Sequence, residues 1–233
     1  MFRFPIVCLA PALIILLSLP CDAAGRTFRV LFVGNAKNTP KTLQLFDGKH
    51  SQKIELPRMN LSPVYKLPLG RLSLHLLGET SGKKPKQALA GSPQATLAKG
   101  ISDFYLIISR NRHNAALPYS MRNNNASPGK VRNGQMLWFN LTKKHITGNV
   151  GSQKINLKPK SQKITKAPAK GIKNYHVDIY YQMPKEKDTW PLCETKWLHN
   201  PAARIIMFVL PETGSRVPRI MSFTDFRTKK KQP

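Results

Sequence analysis

From residue 27 to residue 226 the chain is a succession of short apolar runs separated by Gly, Pro and Asn, with almost no helical periodicity. Some runs are dense. Phe28 to Val33, Phe104 to Ile108, Met136 to Leu141 and Ile205 to Leu210 are nearly continuous, as central strands would be. Others alternate: Leu72, Leu74 and Leu76 with Arg71, Ser73 and His75, and Tyr175, Val177, Ile179 and Tyr181 with His176, Asp178 and Tyr180. Prolines at the ends of these runs suit strand edges and turns, not helix interiors. The pattern predicts an all-β protein.

An internal repeat organises the runs. SQKIELP (51–57) recurs as SQKINLKP (152–159), and the agreement extends both ways at nearly one offset. Gly70 matches Gly171, Leu74 and Leu76 match Tyr175 and Val177, and Phe104, Leu106 and Ile108 match Ile205, Met207 and Val209. Phe32 to Asn35 aligns with Trp138 to Asn140 across a shorter first loop, and Met121 with Met221 across one residue fewer. We therefore expect two tandem units, 24–126 and 127–226, followed by a basic tail, 227–233. Each offers six or seven strands, the size of an immunoglobulin-like β-sandwich. One larger sandwich built from both repeats is the alternative. A long loop is expected in each unit, Gly78–Gly100 and Met183–Ala202.

Residues 1–23 read as a removable export signal: Arg3, an apolar stretch from Ile6 to Leu19, then small residues, with cleavage after Ala23. The stretch is short for a bilayer span, and no later segment is apolar enough to cross a membrane. The mature chain is expected in the periplasm, at the cell surface or secreted. Cys8 and Cys21 leave with the signal, so Cys193 remains alone and no intramolecular disulfide can form.

The formal net charge is +27, and removal of Arg3 with Asp22 leaves it unchanged. The richest stretch, Lys154, Lys158, Lys160, Lys163, Lys166, Lys170 and Lys173, has no acid between Gly151 and Val177. Such a field attracts polyanions. Outside the cytoplasm these are acidic polysaccharide, lipopolysaccharide or anionic lipid surfaces. Lys is a hydrated point charge, and no aromatics are interleaved with these lysines. Diffuse attraction is therefore expected, and specific nucleic-acid recognition is not.

The densest group of unusual residues is Thr189–Pro201. Trp190, Trp197 and His199 could form a ligand platform, and Cys193 with His199 could supply a nucleophile and its base. Packing of the thiol beneath the tryptophans is the competing reading. No Gly-x-Ser-x-Gly elbow, phosphate-binding loop or dinucleotide fingerprint occurs, and the histidines lack zinc spacing. No cofactor or metal is called for. Asn125-Ala-Ser and Asn140-Leu-Thr have the form of glycosylation sites.

The stretch NGQMLWFNLT…ITGNVGS ending at Ser152, with LCETKW (192–197) and ARIIMFV (203–209), resembles exported proteins of Verrucomicrobia-type bacteria. That resemblance implies a β-sandwich and export, and no reaction. The expectation is a non-enzymatic envelope protein that binds anionic surface polymers. The alternatives are an envelope hydrolase or transferase with a site near Cys193 and His199, and a module that engages a protein partner.

Overall fold

A computed structural model describes residues 25–34, 39–78, 88 and 90–226. The expected signal, the basic tail and part of the Gly78–Gly100 loop lie outside the described residues. The described residues form sixteen strands and no helix. The first half contains β1 (Arg26–Val33), β2 (Thr42–Phe46), β3 (Ser51–Glu55), β4 (Tyr65–Leu67), β5 (Leu72–Leu77), β6 (Gln94–Leu97), β7 (Asp103–Arg110) and β8 (Tyr119–Asn125). The second contains β9 (Met136–Asn140), β10 (His145–Val150), β11 (Gln153–Leu157), β12 (Gln162–Thr165), β13 (Lys173–Gln182), β14 (Thr189–His199), β15 (Ala203–Leu210) and β16 (Arg219–Phe226).

These strands build four four-stranded sheets, and the second half repeats the order of the first. Order 4-1-7-8 reappears as 12-9-15-16, and order 3-2-5-6 as 11-10-13-14. Both halves carry a parallel pair, β1 with β7 and β9 with β15, inside otherwise antiparallel sheets. The register refines the sequence alignment. Val30 lies beside Leu106, and Trp138 beside Met207, so Trp138 occupies the place of Val30 and not that of Phe32. Ile108 faces Met121 while Val209 faces Ile220, so Met121 corresponds to Ile220 and not to Met221. The second shift matters because a slip of one residue reverses every side chain.

Three hydrophobic cores separate the four sheets. Phe28, Val30, Phe32, Leu45, Leu76 and Leu106 fill the first sandwich. Trp138, Ile146, Val177, Ile179, Met207 and Val209 fill the second. The opposite faces of the same inner strands meet in a third core. It contains Leu31, Tyr105 and Ile107 from one half and Leu137, Phe139, Ile206 and Phe208 from the other. This is why β1, β7, β9 and β15 are continuous apolar runs: both of their faces are covered. β5 and β13 alternate because their outer faces meet water.

Polar groups also cross the joint between the halves. Asp225, fully buried, accepts a 2.6 Å hydrogen bond from the Tyr105 hydroxyl and pairs with Arg29 at 3.2 Å. Arg204 donates to the Asp103 carboxylate at 3.1 Å and to the Ala126 carbonyl at 2.9 Å. Asp103 and Arg204 hold corresponding places in β7 and β15, one residue before Phe104 and Ile205. The two inner sheets therefore present the same face to each other.

Candidate functional site

The lysine-rich stretch occupies one margin of the second half. β11 and β12 are the edge strands of its outer and inner sheets, joined by the turn from Lys158 to Ser161. All seven lysines are exposed, and none of them forms an ion pair with a described residue. The structure divides them. Lys158 and Lys163 flank a shallow depression with Asn156, Ser161 and Gln162. Lys163 continues into a cleft of about 310 Å³ at the seam between the halves, which also holds Lys130, Asn124, Asn125 and Gln162. Lys166, Lys170 and Lys173 border a separate open groove beside Pro168 and Tyr175. Lys154 stands apart on the outer sheet, in line with Asn149 and then Asp178.

One buried amide organises this margin. Asn140, at the end of β9, has no exposed surface. Its side-chain nitrogen donates to the carbonyls of Lys144 (2.8 Å), Lys158 (3.0 Å) and Leu157 (3.3 Å). Its side-chain oxygen accepts from the Thr142 backbone N–H at 3.0 Å and from the Thr142 hydroxyl at 2.7 Å. Its own backbone N–H donates to the Ser161 carbonyl at 2.9 Å. Asn140 thus ties the β11–β12 turn to the inner sheet and fixes where Lys158, Lys160 and Lys163 emerge. Lys160, in the left-handed region at φ 56°, adds a bond from its ammonium to the Leu141 carbonyl. Asn140-Leu-Thr has the form of a glycosylation site, and the burial of Asn140 removes that reading. Gln162 crosses the seam by accepting a 2.8 Å hydrogen bond from the Asn124 side chain. Asn123 to Asn125 belong to β8.

The tryptophan segment is organised differently from expectation. Residues 183–202 were expected as a long loop, but Thr189–His199 is an eleven-residue edge strand, β14, paired with β13. Trp197, half-buried, stacks on Trp138 at 6.4 Å and meets Tyr175 edge-on, so it packs against the second core. His199 is buried against Tyr175. Trp190 is 49% exposed and lies seven residues back along the strand, about 23 Å from Trp197 at the rise of an extended chain. The three residues therefore do not gather into one platform. Cys193 and His199, six residues apart on the same strand, are likewise about 20 Å apart. Burial, with a smaller push from Asp178, raises the Cys193 thiol, which is the wrong direction for a nucleophile. The Cys193–His199 pair is not assembled.

Among the described residues no group of three His, Cys, Asp or Glu side chains is placed to hold a metal ion, and no helix is long and apolar enough to cross a membrane. No protein-family model and no curated protein matches the chain. Among solved structures the Bacillus anthracis TIE protein is similar over 82% of this chain and 37% of its own, at 8% identity. The chain thus spans little more than a third of that protein's length, and a TM-score of 0.23 leaves the likeness without weight for function.

Proposed function

We propose that the protein is a non-enzymatic, exported envelope protein that binds anionic surface polymers along the β11–β12 margin. One observation carries this reading: seven exposed lysines form no ion pair with a described residue, and six of them lie on two adjoining edges and their connections, with Lys173 at the start of β13. An ammonium that is not neutralised by a neighbouring carboxylate keeps its field for a ligand. Asn124, Asn125, Asn156 and Gln162 add amides beside the charges, suited to hydroxyl and carboxylate oxygens of an acidic polysaccharide.

The experiment compares two triple variants of equal charge. Lys158→Glu, Lys160→Glu and Lys163→Glu should weaken binding to an acidic polysaccharide by about tenfold or more, since each exposed contact is worth up to about 1 kcal/mol. Lys41→Glu, Lys49→Glu and Lys99→Glu, all exposed in the first half, should weaken it much less. Affinity should fall as salt rises. Equal losses in the two variants would replace a margin with a general cationic surface. No binding to acidic polysaccharide, lipopolysaccharide or DNA at low ionic strength would end the proposal.

A further inference from the structure

β14 is the longest strand, and among the described residues it pairs with β13 alone. Its counterpart in the first half, β6, has only four residues. A long open edge presents unpaired backbone donors and acceptors, and proteins usually blunt such edges with Pro, bulges or a run of like charge. β14 has Pro191 and a bulge near its start, where the pairing shifts between Ile179 and Tyr180. Leu192 is the residue the bulge leaves unpaired, and it packs against the second core. The regular length beyond it, Cys193 to Leu198, carries one charge of each sign, Glu194 and Lys196.

Among the described residues the charges within that segment are left unmatched. Glu194 lies directly opposite Asp178, a like-charge neighbour, and Lys196 lies opposite His176. Neither Glu194 nor Lys196 forms an ion pair with a described residue. Leu198 is 60% exposed on the same outer face. The regular segment Cys-Glu-Thr-Lys-Trp, 193–197, is also complementary to itself in charge when reversed about Thr195.

We infer that β14 is a self-association edge, pairing antiparallel with β14 of a second copy in the register that sets Thr195 opposite Thr195. In that register Glu194 faces Lys196 of the second copy, and Lys196 faces Glu194 of the second copy. Cys193 faces Trp197 on the inner side at both ends of the regular segment. The second copy's Lys196 enters the row already holding Asp178 and Glu194 and relieves their repulsion. The two outer sheets become one eight-stranded sheet. Its two β11 strands lie at the far margins, about 34 Å apart at the usual strand spacing, so the edge used here leaves the lysine margins free.

The test is the oligomeric state of the purified protein by sedimentation across concentration, at an ionic strength near 0.15 M, where screening of the surface charge is strong. A concentration-dependent dimer is expected. Glu194→Lys and Lys196→Glu singly should each weaken it about tenfold, because two opposite-charge cross-strand pairs become like-charge pairs. The double exchange Glu194→Lys with Lys196→Glu should restore it. Register is read separately in a Cys193→Ser background. Thr195→Cys should form a reducible covalent dimer on mild oxidation, because antiparallel neighbours are within disulfide reach. Leu198→Cys should not. A monomer at every concentration, failure of the double exchange to restore the dimer, or linkage as ready at 198 as at 195 would overturn the inference. None of these outcomes depends on whether the lysine margin binds a polymer.

Discussion

At the scale of single residues, two buried polar side chains decide more than any exposed one. Asn140 satisfies carbonyls of the turn that carries the lysine margin. Replacing it by Leu keeps the volume but strands those carbonyls without a donor. Asn140→Leu should therefore cost about 2–4 kcal/mol, from more than one buried polar group losing its partner. Denaturant titration gives the loss, and hydrogen exchange should show faster amides in 157–161. His199 adds a pH dependence. Burial lowers its pKa in the folded protein, and its Nδ1 has no hydrogen-bond partner. A group whose folded pKa is depressed and whose neutral form is the buried one takes up its proton more readily in the unfolded chain. Stability is then full above the unfolded histidine value near 6.5 and falls as pH drops below it. Thermal melts between pH 7.5 and pH 5 should show this decline, and His199→Gln should flatten it. An unchanged slope in the variant would assign the acid sensitivity elsewhere.

At the scale of elements, the two hydrophobic patterns were legible and meant more than strand type. Phe104–Ile108 reads as a buried strand because it is covered on both sides, by the first core and by the joint between halves. The alternation of Tyr175–Tyr181 marks an outer sheet. β14 was not legible: a bulge breaks its alternation, and Pro191 with two tryptophans looked like a loop. The lysine margin was legible as composition, since an acid-free stretch can be read directly. Its division into a seam cleft, a groove and the isolated Lys154 depends on which sheet edges adjoin, and that is set by pairings distant in sequence. The role of Asn140 is hidden in the sequence for the same reason. Its acceptors, Leu157 and Lys158, come from another hairpin, so nothing local distinguishes it from a surface asparagine. Gly148 shows a close approach that composition cannot reveal. At φ +146° a Cβ there would lie 1.9 Å from the Asp178 carbonyl oxygen, so β10 can run between β11 and β13 only with glycine.

At the scale of the whole molecule, the joint between the halves is built like an interior and not like a loose contact between domains. Phe139 and Phe208 stack at 4.9 Å, and Phe223 meets Phe208 edge-on. The Arg29–Asp225–Tyr105 and Arg204–Asp103 contacts sit in the same layer, around the buried carboxylates of Asp225 and Asp103. Separation of the halves would expose the third core to water while each sandwich kept its own. The expected behaviour is therefore a single cooperative transition. All three tryptophans lie in the second half, so their emission reports that half alone. Leu45 lies in the first core at 1% exposure, away from the joint. Leu45→Ala should cost about 2–5 kcal/mol through the cavity it leaves. If the halves unfold together, the tryptophan transition should move to lower denaturant by the full amount, although no tryptophan touches the altered site. A tryptophan midpoint that stays in place, while exchange of the β2 and β5 amides accelerates, would show two sandwiches that melt separately across a weak joint.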